Sequence, residues 1–171
     1  MAGFYFQRHA RSASTMHSPD LGTDLSRNSF VVGCLAFGGI GTMFGAILHV
    51  VVLIGGPEWI RFVGAPESVV RSAREGTWLA PVGALSIAAL LAIWSLYAFS
   101  AAGWVRPLPL LRPVLGLIAV IFLIRGALIL PFLGRANWSA PFDLFVVASS
   151  LFIFALGWAY AIGFWGRVQL P

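Results

Sequence analysis

Apolar and polar positions along this chain are sorted into long blocks instead of alternating. Four apolar runs, roughly residues 30–54, 79–101, 113–133 and 141–165, are separated by short stretches rich in Arg, Gly, Pro and Ser. At 1.5 Å per residue, each run coiled as a helix reaches about 30 Å, the thickness of a bilayer's hydrocarbon core. None shows the alternation over about ten residues that a membrane barrel strand requires. The pattern predicts an all-α membrane fold, a four-transmembrane-helix bundle occupying residues 29–166. Residues 1–28 should be a disordered polar tail and residues 167–171 a short C-terminal tail.

Punctuation residues fix the joints. Asn28 or Ser29 is placed to cap the first helix, and Gly55, Gly56 and Pro57 to end it. Over residues 66–75, a leading Pro66, an early Glu67 and a trailing Gly76 mark a short helix, with Val69, Val70 and Ala73 on one side. That predicts a short amphipathic surface helix between spans one and two, flanked by the interfacial anchors Trp59 and Trp78. Pro81 falls in the first turn of the second span, and Gly103 closes it. Pro113 opens the third span, Pro131 bends or ends it, and residues 135–139 turn tightly into the fourth.

Composition agrees with the pattern. Of 171 residues, 59% are hydrophobic and 10% charged, against about 25% charged in a soluble domain. Eleven arginines, no lysine and six acids give a net charge of +5, and with abundant Ala, Gly and Pro this suggests a GC-rich bacterial genome. The arginines form no basic stripe interleaved with aromatic residues, so the charge belongs to headgroups and solvent and not to nucleic acid. The tail contains no contiguous apolar segment of signal-peptide type, so the first span is expected to insert as an uncleaved anchor. With four crossings, Arg8, Arg11, Arg27, Arg106, Arg112 and Arg167 fall on one side and Arg61, Arg71, Arg74 and Arg135 on the other. The excess assigns both termini to the cytoplasmic face of a bacterial inner membrane.

The candidate chemistry is a polar layer. Arg125 interrupts the third apolar run, and a guanidinium that cannot be deprotonated costs from a few to over ten kcal/mol in hydrocarbon. Counting residues from the outer ends of the spans puts Arg125 at a depth of roughly 12 Å, His49 at 8 Å, Ser86 at 10 Å and Ser150 at 13 Å. One polar residue per helix thus falls in one slab, which predicts an outward-facing cavity bordered by His49, Ser86 and Arg125 and covered by the surface helix. Asp143 is the first candidate counterion, reached through water, Ser149 or Ser150, or with Glu58 folding inward. Its alternative role is a carboxylate favoured by the dipole in the first turn of the fourth helix. Gly41 and Gly45 form a GxxxG stripe on the face of His49, suited either to packing inside one subunit or to a homo-oligomer or membrane partner.

Several chemistries are excluded. Cys34 is the only cysteine, so no intramolecular disulfide or cysteine-built zinc or iron–sulfur site can form. There is no phosphate-binding loop, no HExxH, no Ser/His/Asp set and no facing carboxylate pair. His9, His17 and His49 lack metal-ligand spacing. Trp94, Tyr97, Trp104, Trp158, Tyr160 and Trp165 fall toward the inner span ends, as an aromatic belt does.

The sequence Leu48-His49, the loop from Gly55 to Pro66, the run from Gly76 to Pro81 and the pattern Arg106…Leu110-Leu111-Arg112-Pro113…Arg125-Gly126 resemble uncharacterised four-helix inner-membrane proteins of proteobacteria. The layout, with a histidine late in helix one before a Gly/Pro-rich external loop, is distantly similar to DoxX-like proteins, although the lysine common after the DoxX-type histidine is missing. That resemblance implies a small accessory subunit in quinone-linked redox metabolism. The residues themselves point to a non-catalytic accessory component, or a lipid or small-molecule binder, with Arg125 engaging an anionic or carbonyl group. A solute or proton-coupled transporter using His49, Arg125 and Asp143 is the alternative, and the chain names no cofactor.

Overall fold

The computed structural model describes residues 21–134 and 137–168, and every regular element among them is a helix. In chain order these are α1 (Leu21–Gly55), α2 (Pro57–Phe62), α3 (Glu67–Glu75), α4 (Leu79–Ala102), α5 (Leu111–Ala127), α6 (Leu130–Leu133) and α7 (Pro141–Val168). Three are long and apolar enough to cross a membrane: α1 over Ser26–Gly55, α4, and α7 over Pro141–Gly166. The described residues up to Phe30 and those from Val31 onward fall in separate units; the packing below lies within the second. The expected tail lies outside the described residues up to position 20, as do residues 135 and 136 of the hairpin and 169–171 of the C-terminal tail.

The first helix starts earlier than capping predicted. Asn28 and Ser29 lie inside α1 and not at its end, because no glycine or proline interrupts the chain between Gly22 and Gly33 and the side chains of residues 26–29 are exposed. At the other end, Gly56 takes a positive φ of 84°. Pro57 then opens an unexpected helix, α2, with Glu58 in its first turn and Arg61 in its last, the same punctuation that marks α3.

The expected third span is also different. It is divided into α5, 17 residues long, and the single turn α6. Pro131 has no N–H to offer the carbonyl of Ala127, four residues back, and its ring crowds that carbonyl. The regular helix stops at that residue, and Ile129 N–H bonds to Gly126 O at 3.3 Å in a tighter turn.

The core is built by glycines. A β-carbon on Gly126 would lie 2.7 Å from the Phe154 α-carbon, and one on Gly157 would lie 2.8 Å from the Leu123 backbone nitrogen, so α5 and α7 meet almost backbone to backbone. Gly163 and Gly166 receive the side chains of Leu35 and Val31 from α1. Around these contacts pack Leu35, Leu115, Ile118, Phe122, Leu156 and Tyr160, all buried.

A second apolar cluster joins the short helices to the ends of α1 and α4 through Val52, Ile60, Val70 and Ala80. Val69, Val70 and Ala73 all belong to it, so the side of α3 read as apolar is the packed one. Ser72 then stitches α3 to α4. Its buried hydroxyl accepts from Thr77 Oγ1 at 2.7 Å and from the Ala80 amide at 2.9 Å, while donating to Thr77 O at 3.2 Å. Trp78, preceding α4, supplies no side-chain cap, so Ser72 satisfies one of that helix's open first-turn amides from outside.

Candidate functional site

The five residues read as one polar layer do not come together. Among the described residues, no hydrogen bond or ion pair links any two of His49, Ser86, Arg125, Asp143 and Ser150. Ser86 is exposed on α4. His49, half-buried on α1, contacts the carbonyl of Gly45 in its own helix through Nδ1 at 2.8 Å. A carbonyl only accepts, so Nδ1 carries the proton and a neutral ring keeps Nε2 as an acceptor. Ser150 is buried on α7, and none of the hydrogen bonds among the described residues includes its hydroxyl. Asp143, in the first turn of α7, accepts the Asn137 amide at 2.7 Å, and Asn137 Oδ1 accepts the Ser139 amide at 3.1 Å. The carboxylate thus ties down the turn that leads into its own helix.

Arg125 is exposed on α5, with no hydrogen bond or ion pair to any described residue. This corrects the enclosed-cation reading, and the helix explains why. The buried positions of α5 are Leu115, Ile118, Ala119, Phe122 and Gly126, one stripe with gaps of three and four. At about 100° per residue, Arg125 lies roughly 80° around the helix from the middle of that stripe. Its neighbours on the exposed side are Ile121, Ile124 and Leu128. The small residues of α5 take the inner positions, with Gly116 against Phe164 and Gly126 against Phe154. The outward cavity beside His49, Ser86 and Arg125 therefore loses its central member.

The buried polar cluster lies elsewhere, where α1, α4 and α7 meet. Thr42 Oγ1 donates to Gly38 O at 2.7 Å and lies 3.1 Å from the Tyr160 hydroxyl, which donates to Trp94 O at 3.1 Å. Beside it, Ser95 Oγ donates to Gly39 O at 2.7 Å. Thr42, Ser95 and Tyr160 are all buried. Three oxygen–oxygen contacts around Thr42 and Tyr160 share two hydroxyl protons, so they cannot all be ordinary hydrogen bonds at once. Both accepting carbonyls lie in helix interiors, where amides four residues on also serve them.

Tyr160 therefore leaves the expected belt for the core, its ring edge-on to Phe122 at a centroid distance of 5.7 Å. Trp104, Trp158 and Trp165 remain exposed. The GxxxG pair is occupied within the chain: Gly41 faces Leu156 and Phe152 of α7, and Gly45 faces Leu91 of α4. Thr42 between those glycines and Ser95 in the middle of α4 were the available signals for this cluster. A lone hydroxyl can bond its own helix backbone, so the sequence did not single them out.

Ion pairs among the described residues are confined to the short helices. Arg74 Nη2 lies 2.8 Å from Glu58 Oε1, and Arg61 Nη2 lies 3.4 Å from Glu67 Oε1. The hydrogen bond and charge of Arg74 hold the Glu58 carboxyl below the usual glutamate range. Among the described residues, no group of three His, Cys, Asp or Glu side chains is arranged to hold a metal ion. The chain matches no protein-family model, no curated protein and no solved structure.

Proposed function

We propose that this chain is a non-catalytic inner-membrane protein of four crossings that acts as an accessory or lipid- and small-molecule-binding component, recognising its ligand on the lipid-facing side of α5. In this reading α5 and α6 together make the third crossing, both termini are cytoplasmic, and α2 and α3 lie on the outer surface. The observation that carries it is the exposure of Arg125 without a partner among the described residues. By contrast, Thr42, Ser95 and Tyr160 are engaged with backbone carbonyls of neighbouring turns and helices. Conduction needs a continuous polar lining, and these hydroxyls serve helix packing instead. An accessory subunit of quinone-linked redox metabolism, as the DoxX-like layout implies, is one specific form of this role.

Solute and proton flux in proteoliposomes, together with mass spectrometry of co-purified small molecules and lipids, tests the reading. The expected result is no flux with either the parent or Arg125→Leu, and a bound species present only with the parent. Flux that vanishes in Arg125→Leu would overturn it in favour of transport.

A further inference from the structure

We infer that Arg125 holds the phosphate of an outer-leaflet phospholipid, drawn inward where that guanidinium interrupts the apolar surface of the third crossing. The inference rests on the orientation proposed above and names the ligand class for that side of α5. Arg125 lies eight residues before Leu133, where α6 ends, so it sits roughly 12 Å inside the outer end of the crossing that α5 and α6 make together. A guanidinium at that depth is accommodated by snorkelling and by local thinning of the bilayer, which lowers headgroups toward it. Arg125 is in the last turn of α5, two residues before Ala127, and the lowered headgroups come within reach of its long side chain.

The charge fits one occupant. Among acids with described side chains, Glu58 and Glu67 are paired with Arg74 and Arg61, Asp143 is engaged by Asn137, and Glu75 is exposed at the end of α3, away from α5 in the chain's surface helices. A guanidinium presents parallel N–H donors that match two oxygens of a phosphate, and outside bulk water that charge-assisted pair strengthens. A carboxylate on another protein's membrane helix would need close helix approach, which small residues permit. The exposed side of α5 carries Ile121, Ile124 and Leu128 instead. Bulky aliphatic residues beside a lone cation suit acyl chains below a headgroup.

Magnetic-resonance dephasing of arginine ¹⁵N by ³¹P tests this on the full chain, labelled at arginine and reconstituted in phosphatidylglycerol–phosphatidylethanolamine bilayers. The signal lost in Arg125→Leu identifies the Arg125 guanidinium; if that variant does not fold, Arg125→Lys gives the same assignment. Dephasing of that signal by lipid phosphorus is the expected outcome. A second arm uses phosphorus-free glycolipid bilayers with added inorganic phosphate. No dephasing in phospholipid, or equal dephasing by free phosphate in the second arm, overturns the inference. Flux measured separately on the same vesicles reports on the non-transport reading, so the two can fail independently.

Discussion

The Tyr160 hydroxyl on α7 donates to the Trp94 carbonyl on α4 at 3.1 Å while lying the same distance from Thr42 Oγ1 on α1. One side chain thus joins three helices at a point where none of them carries a charge. Interhelical hydrogen bonds in membranes contribute about 0.6 kcal/mol on average and up to about 1.7. Tyr160→Phe leaves both carbonyls with their helix amides and should destabilise the fold by about that much. Tyr160→Ala, which also empties ring volume beside Phe122, should cost about 3–5 kcal/mol. Reversible unfolding in mixed micelles would measure both. Thr42→Val combined with Tyr160→Phe should depart from the sum of the two single changes, because the two hydroxyls touch.

Glycines on α5 and α4 should respond in opposite ways. Gly126→Ala forces a β-carbon against the Phe154 backbone, which no rotamer relieves, and a loss of at least about 2 kcal/mol, of overpacking size, is expected. Around Gly83 no heavy atom lies within 4 Å of an added β-carbon. There, Gly83→Ala should be neutral or stabilise by up to about 1 kcal/mol through helix propensity. Thermal midpoints of the two variants in one detergent would separate the cases.

Ser72→Ala should loosen the junction of α3 and α4. It removes the acceptor of the Ala80 amide, and losing such a cap costs about 0.5–2 kcal/mol. Hydrogen exchange at Ala80 should accelerate while amides in the middle of α7 keep their protection.

The Glu58–Arg74 pair gives the short helices an acid-sensitive element. The folded-state pKa of Glu58 is lowered, so its stabilising contribution is present above the ordinary glutamate pKa and is lost as pH falls through the lower folded value. Both partners are exposed and screened by solvent, so the effect should be confined to exchange rates in α2 and α3 in acid. Glu58→Gln should abolish that pH dependence without changing unfolding at neutral pH.

Arg125→Leu should leave the fold as stable as the parent, or more so, because it breaks no bond to a described residue and removes a charge from an apolar helix. A fall of more than about 1 kcal/mol in micelles, beyond the usual range for surface changes, would point to a structural role instead.

Block patterning and punctuation were enough to set the helical class, the extents of α3 and α4 to within a residue or two, the end of α1, and the apolar side of α3. These follow from bilayer thickness, helical rise and the backbone preferences of Gly and Pro, all of which act within one segment. The sequence also carried the break at Pro131, but its position at Ala127 depends on the carbonyl four residues back. Which side of α5 Arg125 occupies was decided by tertiary structure, because Gly116, Ala119 and Gly126 let α7 approach on one side and the arginine is left roughly a quarter-turn away. The same close packing hid Thr42, Ser95 and Tyr160, residue types that read as ordinary membrane-helix positions or belt until three helices meet around them. Residue type and spacing set which segments are helices and where they end; which side chains face one another is a property of helix–helix approach, and that depends on glycine positions in several segments at once.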